Sequence, residues 1–271
     1  MLTFEDLTSV VIVARKWPHL RTTLETYFAS TAFEKVETIL LFSGINETSD
    51  AAKLRGFAQE HRDRLIILDH PQNIGLYNGT NIGWRIARGE VLVSAVDDMT
   101  FYPGWLDRSR RALQHMGPSV VGLYHERKVQ HERKGRGAYA PEVVEEFESD
   151  VKIDRAGIIT QIMATTRKVV GTIGLFYSDG RTCSEDQRGG NHQWSRRCEK
   201  KGIRKGYLLD SPVIHFHRYC SKGHPVLVKY PRCQECGEPT STDDTPNDIE
   251  NRENKVKEYD GVLDFDYEGR L

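Results

Sequence analysis

The sequence predicts an α/β fold built on a doubly wound, mostly parallel sheet, and three observations carry that prediction. Short apolar runs without polar alternation recur through the first hundred residues, as expected of strands buried on both faces. Helix-forming stretches fill the intervals between them. The runs end in turns containing Gly, Ser or carboxylates, at the edge where such sheets bind ligands.

The elements follow in order. Ser9–Ala14 reads as the first buried strand and Leu20–Phe28 as the helix after it. Val36–Phe42 is a second strand, stopping at Ser43-Gly44, and Ala51–His61 is helical. Arg64–Asp69 is a third strand, Asn78–Ala87 a helix and Val91–Val96 a fourth strand. Repeated strand–helix units joined by short connections give parallel neighbours. Pro103–His115 reads as a helix, Pro118–Tyr124 as a strand and His125–Pro141 as a polar, basic, mobile loop. Ile158–Met163 and Lys168–Phe176 read as strands or strand edges. Gln193–Lys201 reads as a helix closed by Gly202, and Tyr207–His217 as one apolar strand ending in His-Phe-His. Beyond Cys236 the chain turns acidic. Glu238–Asn254 reads as linker or disorder, with Tyr259–Tyr267 able to dock back.

A chain of 271 residues accommodates one large domain, or one domain with an appendage. The expected division is a main domain over 1–217 (halves 1–106 and 107–217), a small unit over 218–237 and an acidic tail over 238–271. Net charge is −1, but residues 105–236 are strongly basic and the tail is acidic, so a polyanionic partner is a reading of the middle segment. The first apolar run, Val10–Ala14, is too short for a secretory leader and follows Glu5 and Asp6. No stretch reaches the roughly 18 apolar residues of a membrane helix. The expectation is a soluble, cytoplasmic protein without a membrane span.

Residues 73–106 hold the densest signal. A loop, Asn73-Ile-Gly75-Leu-Tyr-Asn78, leads into a small-residue helix containing Gly79, Asn81 and Gly83. Arg88-Gly89 closes it, and the strand Val91–Val96 ends in Asp97-Asp98, five residues before Pro103-Gly-Trp-Leu106. Together these elements resemble the GT-A glycosyltransferases, specifically the family 2-like group, over roughly residues 8–217. The resemblance implies a GT-A fold and transfer of a sugar from a nucleoside-diphosphate donor, a UDP-sugar being expected. It implies Mn²⁺ or Mg²⁺ as cofactor and inversion at the anomeric centre. Asp98 occupies the metal-binding position, where a hard cation takes carboxylate and phosphate oxygens. Asp97 stands beside it, because the family's other Asp falls two residues earlier, where this chain has Val96. The donor would be lined by Ala14, Arg15, Ser43, Gly44, Asn73, Gly75, Asn78, Asn81, Arg88 and Asp97. Arg15 stands where the family usually carries a different first-strand turn, and Ser43 or Phe42 where it carries a base-binding Asp.

An inverting transfer needs a group that takes the acceptor's proton. The family supplies a Glu-Asp pair about twelve residues before a Gly; counting back from Gly202 reaches Gly190-Asn191-His192, without an acid. The candidates are Asp186 with Glu185 beside it, and His192. Many relatives place a His as a third metal ligand at the last strand's end. His217 and His215 are the candidates here, and alternation lets only one face the site.

A separate motif, Cys220-x3-His224-x8-Cys233-x2-Cys236, has ligands and spacing suited to a tetrahedral structural Zn²⁺. Basic residues at 125–136 and 218–232, with Tyr219 and Tyr230 among the latter, suit contact with nucleic acid. These features point to a hydroxymethylated DNA base as one acceptor, with polysaccharide, glycolipid or protein as the alternative. A catalytically degenerate module that binds nucleotide sugar or nucleic acid is the second class of reading, and a nucleotidyltransferase the third.

Overall fold

Strand β1 (Thr8–Ala14) is buried along its whole length. Val10, Ile12 and Ala14 enter one apolar cluster; Val11 and Val13 enter another on the opposite face. A strand covered on both faces has no solvent side to mark with polar residues, hence the unbroken apolar run. The computed structural model describes residues 7–15, 19–45, 51–124, 144–148, 151–155, 162–176, 190–210, 212–215, 218–219 and 225–226.

After β1 come α1 (His19–Ser30), β2 (Val36–Ser43), α2 (Ala51–Glu60), β3 (Ile66–His70), α3 (Gly75–Ile86) and β4 (Val91–Val96). The second half contains β5 (Met99–Phe101), α4 (Trp105–Met116), β6 (Ser119–Gly122), β7 (Val144–Glu148), β8 (Val151–Arg155) and β9 (Met163–Thr166). It continues with α5 (Arg167–Ile173), α6 (Gly190–Lys200), β10 (Arg204–Leu208), β11 (Val213–His215), and the short pair β12 (Arg218–Tyr219) and β13 (Pro225–Val226). Among the described residues, nine strands form one sheet in the order β3-β2-β1-β4-β9-β6-β10-β8-β7. The pairs β1–β2, β1–β4, β2–β3 and β6–β10 are parallel. β9 lies antiparallel between β4 and β6, and β8 and β7 extend the sheet antiparallel beyond β10. Helices α1, α2 and α4 cover one face; α3, α5 and α6 cover the other. This is the doubly wound, mostly parallel sheet expected. No helix among the described residues is long and apolar enough to cross a membrane.

Close packing explains part of the small-residue helix. A Cβ on Gly79 would collide with the side chain of Val13, and one on Gly83 with that of Val11. Both glycines therefore let α3 lie tightly on β1, a use of small residues in the core.

Several expectations are corrected. Lys168–Phe176, expected as a strand, is helical from Arg167 to Ile173. Thr166 Oγ1 caps it by accepting the Val169 N–H at 3.3 Å, and Gly174 ends it at a φ of 81°. The cap and the burial of Val169, Val170 and Ile173 outweigh the local strand preference of the β-branched residues. The neighbouring strand begins at Met163, at the end of the expected Ile158–Met163. Tyr207–His217 is not one strand: β10 stops at Leu208, and β11 pairs antiparallel with β5 in a separate two-stranded sheet. Pro212, which has no N–H to continue a ladder, precedes the new strand. The loop 125–141, most of 218–237 and the acidic tail lie outside the described residues.

Arg88, expected near the donor, sits at the opposite edge of the sheet. Its Nε donates to Glu37 Oε2 at 2.8 Å, and its backbone N–H donates to Glu37 Oε1. Ser9 Oγ also donates to Glu37 Oε1 and accepts the Gly89 N–H at 2.8 Å. Ser9 and Glu37 face each other near the beginnings of β1 and β2, so the network ties the starts of β1, β2 and β4 together. Burial by itself pushes the Glu37 carboxyl up. The hydrogen bonds from Arg88 and Ser9, with the charge of Arg88, outweigh it and hold the group below the usual carboxylate range. A depressed folded-state pKa gives stability that is fully present above the unfolded value, near 4.3, and lost as pH falls through the folded value. Glu37→Gln should therefore destabilise the protein by about 1–2 kcal/mol at pH 7, screening of the exposed Arg88 included. Urea midpoints measured from pH 7 down to 3 should show the wild-type advantage shrinking at the acid end.

Candidate active site

The carboxyl ends of the parallel strands bring together most of the expected donor residues. Val13 is opposite Val96, and Ala14 is opposite Phe42, so β1, β2 and β4 finish nearly level. Ala14 and Arg15 therefore lie beside Ser43 and Gly44 on one flank and Asp97 and Asp98 on the other.

The β2 end and the β3–α3 loop form one hydrogen-bonded unit. Ser43 Oγ donates to Asn73 Oδ1 at 3.2 Å and accepts the Ile74 N–H at 3.0 Å. Asn73 Oδ1 also accepts the Gly75 N–H at 3.1 Å, an Asx turn that starts α3. Asn78 Nδ2 donates to Ile74 O at 3.1 Å. Gly44 has a φ of 67°, and its N–H donates to His70 O at 3.0 Å. Any Cβ there would strike the backbone of Gln72 and Asn73, so glycine is required on two counts. Ser43 and Asn73 thus shape this wall by bonding to each other, and Gly44 and Asn78 by bonding to the carbonyls of His70 and Ile74. Gly75, at a φ of 72°, has open space where a Cβ would stand.

The β4 end is built by groups from three other elements. Asp97 Oδ2 accepts the Arg15 N–H at 2.6 Å, joining the ends of β1 and β4. Thr23 Oγ1, buried on α1, donates to Asp97 O at 2.8 Å and accepts the Met99 N–H at 2.9 Å. His215 is opposite Met99 in the β5–β11 ladder, which places its backbone beside the acidic turn. Both carboxylates are half-buried. The functional expectation for Asp97 is thereby refined: at least one of its oxygens holds the β1 terminus, and Asp98 carries the adjoining carboxylate. Among the described residues no group of three or more His, Cys, Asp or Glu side chains forms a metal cluster. The donor set nevertheless fits Mg²⁺ or Mn²⁺ in a diphosphate complex, which needs only one or two protein carboxylates because phosphates and waters complete the shell.

Asn81 is directed elsewhere. Its Nδ2 donates to Phe176 O at 2.8 Å, and its Oδ1 accepts the Phe176 N–H at 3.0 Å. The Phe176 ring stacks on Trp84 at 5.3 Å between centroids and meets Trp194 at 5.1 Å. Trp194 Nε1 donates to Gly174 O at 3.0 Å, and Arg197 donates to the carbonyls of Ile173 and Leu175. Helix α6 is thereby locked to the segment after α5. Because α6 runs back to the edge where β10 and β6 begin side by side, its first turn, carrying His192, starts on the ligand side. Cys198, on the same helix, is buried, and burial pushes its thiol up to about 12, so it is no nucleophile. Glu185, Asp186, His217, Cys220, His224, Cys233 and Cys236 lie outside the described residues.

Sequence reading missed Thr23, Thr26 and Phe176. Thr23 and Thr26 are one helical turn apart, but their partner strand β5 is only three residues long and carries no periodicity. Phe176 was read as the end of a strand.

The family model for "Glycosyl transferase family 2" matches residues 9–170. The chain belongs to glycosyl transferase family 2. Its fold is similar to that of GalNAc-T7 solved with UDP, GalNAc and Mn²⁺, at a TM-score of 0.58 and 14% identity, covering 78% of this chain and 44% of that one. It is also similar to the mannosyltransferase PcManGT from Pyrobaculum calidifontis in complex with GDP-Man and Mn²⁺, at 0.55 and 17%, covering 77% and 56%. The S. aureus TarS 1–349 structure aligns at 0.51 and 10%, covering 75% and 58%. The chain thus spans about half the length of these structures. No curated protein sequence matches it.

Because both polar ends of Asn81 serve Phe176, Asn81→Ala should lower stability by about 2–3 kcal/mol, with two backbone groups losing their partner. The melting temperature of the variant, followed by circular dichroism, checks it.

Proposed function

We propose that this protein transfers a sugar from a nucleoside-diphosphate sugar to an acceptor hydroxyl, with a divalent cation held at Asp98. The observation that carries the reading is the acidic turn at the end of β4. It presents Asp98 beside Ala14–Arg15 and the Ser43–Asn73 wall, at the edge where doubly wound sheets bind ligands. Family membership and the Mn²⁺ and nucleotide-sugar complexes of two similar structures support it. A bound Mn²⁺ or Mg²⁺ would neutralise charge on the departing diphosphate. The protein's own part is to hold Asp98 in place, to shape the donor wall and to supply a base. Asp186, with Glu185 beside it, is the proposed base, and His192, in the first turn of α6 on the ligand side, is the alternative. His215 or His217 adds a ligand to the same cation. In-line attack by the deprotonated acceptor would invert the anomeric centre.

A hydroxymethylated base in nucleic acid is the acceptor favoured by the basic segments 125–136 and 218–232. The base must leave the stack to reach the site. A UDP-sugar is the proposed donor and the cytoplasm the proposed compartment. The motif Cys220, His224, Cys233 and Cys236 is proposed to bind one structural Zn²⁺, which elemental analysis of metal-depleted and zinc-repleted protein would count.

The test is turnover with a panel of nucleotide sugars and Mn²⁺, with and without hydroxymethylated DNA, reading released nucleotide and product mass. A hexose-sized mass gain on the DNA would establish both reaction and acceptor. Nucleotide release without DNA modification would redirect the acceptor to glycan, lipid or protein. Donor binding without release would leave a binding module. Asp98→Ala should reduce transfer by at least about a hundredfold, the scale on which a single stabiliser of developing charge acts.

A further inference from the structure

We propose that Thr23 is a positioning residue that presets the backbone of Asp98 for cation binding; the inference rests on the donor reading above. The Asp97 carbonyl belongs to the peptide that precedes the Asp98 Cα, and the Met99 N–H to the peptide that follows it. The single Thr23 hydroxyl bonds to both, at 2.8 and 2.9 Å. With both flanking peptide planes held from one point, the φ and ψ of Asp98 are fixed before any ligand arrives. The Arg15 N–H on Asp97 Oδ2, at 2.6 Å, holds the same turn from β1.

The helix does this as part of a wider docking. Strand β5 directs alternate N–H groups to opposite sides. That of Tyr102, just past its end, donates to Pro212 O at 3.0 Å, toward β11. Those of Met99 and Phe101 point to α1, where Thr23 Oγ1 and Thr26 Oγ1 accept them at 2.9 and 3.3 Å. Residues i and i+3 of a helix share a face, as do i and i+2 of a strand, so Thr23-x2-Thr26 matches Met99-x-Phe101. Thr26 bonds two residues further from Asp98, to the Phe101 N–H. The two threonines therefore separate a general docking role from a positioning role.

Groups behind a metal ligand commonly change metal affinity by about 10–100-fold when removed. The experiment titrates Mn²⁺ into the 271-residue protein with UDP or GDP and reads nucleotide binding by calorimetry, with melting temperature recorded for each variant. Thr23→Val should raise the half-saturating Mn²⁺ concentration about 10–100-fold, while Thr23→Ser stays within roughly threefold of wild type. Thr23→Ala, with no added methyl beside Asp97, replaces the Val variant if that one does not fold, and should show the same loss. Thr26→Val should lower the melting temperature but leave the Mn²⁺ dependence unchanged. Wild-type Mn²⁺ dependence in Thr23→Val, or an equal loss in Thr26→Val, would overturn the positioning role while leaving the donor reading intact. A wild-type protein that binds neither nucleotide with Mn²⁺ would overturn the donor reading and this inference together.

Discussion

The ligand edge depends on where β4 stops and how its last turn is held. A strand that ends beside β1 has its next backbone groups exposed to competition from water. Here they are captured instead, the Asp97 carbonyl and the Met99 N–H by Thr23, while the Asp97 side chain accepts the Arg15 N–H. The result is a turn whose geometry is settled by protein groups before any ligand arrives. Preorganised electrostatics of this kind is what a site needs if it is to stabilise charge on a leaving diphosphate without rearranging.

The rest of the sheet makes that turn possible. Val11 and Val13 accept the close approach of α3 only because Gly79 and Gly83 have no side chains, and this brings the Asn73–Gly75 loop to the edge. The network around Glu37, Ser9 and Arg88 fixes the same strands at their other ends. The three strands are thus clamped at both ends, and the apolar clusters on the two faces fill the space between. On the far side, Asn81 and the Trp84–Phe176–Trp194 stack bind α3, α5 and α6 into one block. The first turn of α6 is thereby held relative to the Ser43–Asn73 wall.

How much of this was legible in the sequence varied with the kind of force involved. The strands from Ser9 to Val96 were legible because burial on both faces leaves a continuous apolar signature. Asp97-Asp98 and Ser43-Gly44 were placed at one edge by topology, and Asn73-Gly75 by the resemblance to the family. What could not be read were partners distant in sequence. Arg88 and Asn81 look like ligand groups in isolation, and only the folded chain directs one to Glu37 and the other to Phe176. The Lys168–Phe176 segment has strand-like composition, yet a Thr cap and the demand for cover on that face make it a helix. Thr23 carried no signal because the strand that it supports is too short to have a pattern.

The central claim is that Asp98 takes a cation and a diphosphate while Asp97 stays bound to the β1 terminus. The most direct measurement is a crystal structure of the protein soaked with Mn²⁺ and UDP or GDP, with anomalous data collected at the manganese edge. The account predicts a manganese peak within coordination distance of an Asp98 carboxylate oxygen, with the Arg15 N–H still donating to Asp97. A peak elsewhere, or an Asp97 carboxylate that has left Arg15 to become the principal ligand, would contradict it.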